Sequence, residues 1–150
     1  MTIGLDTNIL VRHSTQDDPA QSTLATDFLS RSCTESHPGW INLIVVCELA
    51  WVLRSSKSYS YYKEKLVEVL FKMRHTRGFR IEDEAAFDLA LHRYENSDAD
   101  FSDCLLAVRN EQHGVRFTAT FDKNAAKVSG FELLTDIRAG QAETQLPENK

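Results

Sequence analysis

The chain has 150 residues, 42% of them hydrophobic, and a formal net charge of −5. That length suits one domain with a sizeable core, and no apolar run approaches the roughly 18–20 residues that cross a bilayer. The first residues carry neither the basic nor the apolar stretch of a secretory signal, so a cytoplasmic protein with no membrane partner is expected.

In chain order, residues 2–5 read as a first strand, with Ile3, Gly4 and Leu5 buried. Asp6, Thr7 and Asn8 follow it, and residues 8–13 begin a short helix. After a polar linker over 15–19, residues 20–31 form a helix with Leu24, Ala25, Phe28 and Leu29 on one face. Pro38 and Gly39 close a loop, and Trp40 and Ile41 make a short second strand. Asn42 can cap a helix running to about Arg54, apolar on most sides and therefore central and buried. Residues 58–75 give a further helix, whose stripe is Tyr62, Leu66, Val69, Leu70 and Met73, and Gly78 ends it or the turn after it.

A brief strand over 79–81 precedes an amphipathic helix over 82–94, with Phe87, Ala90, Leu91 and Tyr94 inward. The next helix spans 101–112 and is stopped by Gly114. A strand over 115–120, a short helix over 123–128 and a last strand over 131–134 complete the pattern. Residues 136–150 are polar, without period, and expected to fray. Short strands alternating with helices argue an α/β fold with a short, mainly parallel central sheet flanked by helices.

The cysteines Cys33, Cys47 and Cys104 are odd in number and lack CxxC spacing, which excludes a disulfide framework and a zinc site. Cys47 and Cys104 read instead as small apolar helix residues. Charge is unevenly spread. Between Arg54 and Arg80, eight basic residues face only Glu64 and Glu68, a local +6 that leaves −11 elsewhere. Such asymmetry permits a polyanion on one face. Tyr59, Tyr61 and Tyr62 lie in the same stretch, where they can stack on bases, cover the core or meet another subunit.

Four acids invite a common explanation. Asp6 and Asp122 both follow apolar β-type runs, so in a parallel sheet both lie at the carboxyl edge, where ligands bind. Each taken singly also suits a turn or a helix cap. Glu48 sits within VVCELAWVL, where a carboxylate must meet a cation or reach the rim. Asp100 and Asp103 share one helix face, and Asp103 leads into the apolar run CLLAV. Two carboxylates about 5 Å apart repel by roughly 3 kcal/mol at an effective dielectric near 20. The six pairs of a four-acid cluster sum to something on the order of ten to twenty kcal/mol, which rivals a domain's whole stability of about 5–15 kcal/mol. A cluster of Asp6, Glu48, Asp103 and Asp122 must therefore take protons or a hard cation. Ligation by oxygen alone points to Mg2+ or Mn2+.

The order IGLDTNIL, VVCELAWVL, ADFSDCLLA and TFDKNA resembles the PIN domain family of metal-dependent nucleases, and more narrowly the VapC-type toxin ribonucleases. The resemblance implies a single PIN-like domain over 1–135 followed by a flexible tail over 136–150. It implies Asp6, Glu48, Asp103 and Asp122 as the catalytic acids. Asp6 and Asp103 would ligate Mg2+ or Mn2+, with Glu48, Asp122 and Asp100 as possible further ligands. Thr7, Asn8, Thr120 and Asp100 would position substrate or water, and Asn42 stands where the family often has Ser or Thr. The implied activity is endoribonuclease hydrolysis of RNA as the toxin of a type II toxin–antitoxin pair. The implied partners are RNA, a small antitoxin and a second copy of the chain. Alternatives are a PIN-type nuclease in RNA processing and a non-enzymatic interaction domain. A haloacid-dehalogenase-type phosphatase is disfavoured, because the second acid it needs is replaced by Asn8, which cannot shuttle a proton.

Overall fold

Strand pairing starts at β1 (Ile3–Gly4), whose successor Leu5 donates its N–H to the Trp40 carbonyl at 2.9 Å. The computed structural model describes residues 2–135, so the tail expected over 136–150 lies outside the described residues. After β1 come α1 (Thr7–Thr15), α2 (Pro19–Ser32), β2 (Gly39–Ile41), α3 (Leu43–Ser55) and α4 (Lys63–Arg74). They are followed by β3 (Phe79–Ile81), α5 (Glu84–Glu95), α6 (Phe101–Gln112), β4 (Thr118–Thr120), a 3-10 turn (Ala125–Lys127) and β5 (Phe131–Leu133). The α/β class and parallel pairing expected from the sequence are what the chain adopts. The sheet is divided into two parallel ladders, β1-β2-β3 and β4-β5.

The first ladder is covered on one face only. Gly39 and Ile41 of β2 and Phe79 and Ile81 of β3 point into the core, while Trp40 and Arg80, in register with Gly4, stay exposed. Ile3 and Gly4 are exposed too, contrary to the buried first strand expected, because β1 is a two-residue edge. Only Leu5 enters the core. Gly78 ends the turn after α4, since the helix itself has already ended at Arg74. It is a point of close approach, where a Cβ would stand 2.4 Å from the Cys33 carbonyl oxygen. Gly114 does follow α6 with a φ of 74°, as a left-handed terminator should.

The core is shared by the inner faces of four helices. Val46, Leu49 and Leu53 of α3 meet Leu66 and Leu70 of α4, Phe87 and Ala90 of α5, and Cys104 and Val108 of α6, all of them buried. The four inward residues expected of α5 are all there. The helix expected over 58–75 begins only at Lys63. Ser60 takes a left-handed φ of 45°, and residues 56–62 form a turn held by Tyr61 N–H on the Leu53 carbonyl. Tyr62 is thereby exposed rather than part of the stripe. Leu24 and Phe28 are also exposed, because α2 packs through Ser22, Ala25 and Leu29. The strand expected over 115–120 shortens to three residues, since Val115 folds back to bond the Asn110 carbonyl. Among the described residues no helix is long and apolar enough to cross a membrane.

A polar clamp fixes α1. Its Arg12 donates to Gln21 of α2, to Asp17 of the linker and to the Tyr59 hydroxyl. Asp17 also accepts from Thr15 and from Tyr59, at 2.7 Å each. Those two hydroxyls, with Arg12 behind them, pull the Asp17 carboxyl down to about 2. A carboxyl lowered by folding supports stability above its unfolded value and loses that support as pH falls through its folded value. Asp17→Asn therefore lowers the thermal midpoint at pH 7, and the difference from wild type closes as pH falls from 4 towards about 2. Paired calorimetric scans across that range check it.

Candidate active site

Helix N-caps decide which acids are structural. Four helices begin at a carboxylate. Asp18 accepts from Gln21 N–H, and Asp83 accepts from Ala86 N–H while also pairing with Arg109 at 2.8 Å. These are ordinary caps. Asp6 and Asp100 occupy the same position on α1 and α6, with extended backbone, but their side chains make no capping bond. The capping explanation that the sequence left open for Asp6 therefore does not apply, and both carboxylates remain exposed.

Of the two settings open to Glu48, a cation or the rim, the rim is the one seen. The helix α3 turns one face to solvent, carrying Ile44, Glu48, Trp51 and Ser55 at helical spacing, and Ile44 and Trp51 are 69% and 65% exposed. Glu48 thus reaches the rim instead of being buried among apolar neighbours. One of its oxygens accepts the hydroxyl of Thr7 at 2.5 Å, and Thr7 itself is only 6% exposed. Thr7 therefore positions a carboxylate.

Two adjoining clefts result. The first, about 530 Å³, is lined by Asp6, Thr7, Asn8 and Glu48 together with Trp51 and Ser102. The second, about 150 Å³, includes Asp100, Asp103, Arg54 and Tyr94, and shares Trp51 and Ser102 with the first. Ser102 escaped the sequence analysis. It lies in the first turn of α6 and lines the first cleft together with Cys47 of α3. A lone serine beside an aspartate carries no signal that would have revealed it. Burial pushes the Cys47 thiol up, with the Ser102 hydroxyl opposing, so the thiol stays protonated and offers no soft ligand.

Asp122 is partly a turn residue. Its Oδ1 accepts from Asn124 N–H at 2.8 Å and Ala125 N–H at 3.3 Å, while its own N–H donates to the Thr120 hydroxyl at 3.0 Å. Thr120 thereby fixes the backbone of Asp122. The Asp103 carboxyl is pushed above its ordinary range, first by burial and then by the charges of Asp100 and Asp122.

The expected convergence on one pocket is not reproduced. Among the described residues no group of three His, Cys, Asp or Glu side chains is placed to hold a metal ion. Asp6 is grouped with Glu48, and Asp100 and Asp122 with Asp103. Repulsion accounts for the separation. Four of the five carboxylates keep water around them, where like charges are screened, and only Asp103 is partly covered. The donor set still fits a hard divalent ion. It is all carboxylate and amide oxygen, and among the described residues none of Asp6, Glu48, Asp100, Asp103 and Asp122 forms an ion pair.

The sequence model of the PIN domain matches residues 3–130, most of the chain and all five candidate acids, Asp6, Glu48, Asp100, Asp103 and Asp122. The chain belongs to the PIN domain family. That assigns a nuclease-type fold, in a family whose members are in general metal-dependent nucleases. No protein of curated function matches the chain. In this PIN domain the two kinds of N-cap acid should separate on mutation. Asp83→Ala is expected to lower unfolding stability by about 1 kcal/mol through loss of its cap. Asp6→Asn and Asp100→Asn, which break no cap bond, should leave stability unchanged or raise it. Urea unfolding of the three variants, in buffer with chelator, measures the contrast.

Proposed function

We propose that this PIN domain is an endoribonuclease that hydrolyses RNA phosphodiester bonds with Mg2+ or Mn2+, and that it acts in the cytoplasm as the toxin of a type II toxin–antitoxin pair. The observation that carries the nuclease reading is the pair of helix-leading carboxylates, Asp6 and Asp100, left without a cap bond beside Glu48 and Asp103. Acids that stabilise no helix and pair with no base are explained by a ligand. Asp6 and Asp103 would hold the ion, with Glu48, Asp122 and Asp100 as further ligands or as acceptors for its waters. Bound there, such an ion lowers the pKa of a water and polarises a phosphoryl oxygen.

The chain's own groups supply the rest. Thr7 fixes the orientation of Glu48, so one carboxylate oxygen is committed and the other is free to accept a proton or orient a water. Thr120 fixes Asp122 through its backbone. Asn8 lines the same cleft as Asp6 and offers a neutral amide that can donate to a phosphate oxygen without competing for a cation. The toxin assignment rests on the motif order. It brings two partners with it, a small antitoxin and a second copy of this chain.

Purified protein should cleave single-stranded RNA in Mg2+ or Mn2+ and stop on addition of chelator. Asp6→Asn should reduce kcat at least about a hundredfold with the fold retained by circular dichroism. Undiminished cleavage by that variant would refute the reading.

A further inference from the structure

Trp51 is the feature that the acids leave unexplained. Its side chain is 65% exposed, and it makes no ring contact or hydrogen bond among the described residues. Large apolar side chains left bare on a surface mark interaction sites more often than chance placement. Its position is specific. It stands one turn of α3 beyond Glu48 and one turn before Arg54, and it lines both clefts, the one with Asp6 and the one with Asp103.

Arg54 is the only basic residue among those lining either cleft. One of its nitrogens is anchored on the Tyr61 carbonyl at 2.9 Å, and its exposed guanidinium keeps further N–H donors. Along α3, a carboxylate, an indole and a guanidinium therefore follow one another at successive turns. The indole and the guanidinium match a base and the next phosphate of a single-stranded nucleic acid, while the carboxylate end would meet a phosphate only through a bound cation. An indole face stacks on any base, and a guanidinium forks onto phosphate oxygens.

We propose that Trp51 is the stacking platform for a base next to the scissile phosphate, and that Arg54 holds the neighbouring phosphate. This rests on the nuclease reading above. Trp51 and Arg54 are positioning residues that select single-stranded RNA, because a base paired within a helix has no free face to offer the indole. The other occupant of an exposed tryptophan, a second copy of this chain, enters as an outcome of the test.

The chain has two tryptophans, so Trp40→Phe leaves Trp51 as the only indole. Single-stranded RNA of mixed sequence, mixed with that protein in Mg2+ by stopped flow, should quench the Trp51 emission. The same strand carrying abasic sites should not. In steady state, Trp51→Leu should raise KM for RNA about tenfold or more while kcat stays within about threefold, and Trp51→Phe should restore most of the loss. Arg54→Gln should raise KM and flatten its dependence on salt.

No quenching by RNA, or wild-type KM for Trp51→Leu, overturns the proposal. An emission that follows protein concentration and ignores RNA also overturns it, and assigns the indole to a contact between copies. Quenching without cleavage by the wild type would uphold the stacking site and refute the nuclease reading. Cleavage without quenching would do the reverse.

Discussion

Four carboxylates line two adjoining clefts and a fifth, Asp122, acts on Asp103 by its charge; with no basic side chain paired to any of them among the described residues, they repel one another without internal compensation. That repulsion explains much of the site. It favours contact with water for Asp6, Glu48, Asp100 and Asp122, and it adds to burial, the larger cause, in raising the one carboxyl, Asp103, that the packing partly covers. Elsewhere the fold uses several acids as joints. Asp17, Asp83 and Glu84 are each bound to arginine, and two of these acids also take hydroxyl or backbone donors. The same chain thus contains acids used as structural joints and acids held back from that use. The difference is visible in their hydrogen bonds.

The scaffold's part is to deliver the acids from separate elements. β1 ends just before Asp6, and α1 carries Thr7 into the core, where its hydroxyl reaches Glu48 on α3. Trp51 of α3 and Ser102 of α6 line both clefts, so the Glu48 and Asp103 groups share a wall. At the far end of α1, the clamp of Arg12, Asp17 and Tyr59 sets the axis along which Asp6 and Thr7 are presented. The acids thus depend on contacts several turns away from them.

Much of this could be read from the residues. The α/β class, the parallel pairing, the span of α6 and the inward face of α5 follow from hydrophobic period and Gly114. The candidate acids stood out because they interrupt or end apolar runs. What the sequence did not disclose depends on tertiary partners. An apolar helix such as α3 does not announce which face will lack a neighbour, so the residues alone left Glu48 between a cation and the rim, and it lies at the rim. Leu24, Phe28 and Tyr62 are exposed for the same reason. The 58–62 segment is helical in pattern, yet Ser60 adopts a left-handed conformation that no glycine marks. Thr7 and Ser102 gain their roles only from what packs against them.

The central claim is that these acids are reserved for a divalent cation. The most direct measurement is the thermal midpoint of the protein titrated with Mn2+ at constant ionic strength, beside the double variant Asp6→Asn/Asp103→Asn. A ligand that binds only the folded state stabilises it in proportion to the logarithm of its concentration. The wild-type midpoint should rise by about 5 °C or more once Mn2+ exceeds its dissociation constant roughly a hundredfold, and the double variant should not respond. A wild-type midpoint indifferent to Mn2+, or an equal rise in the double variant, would contradict the account.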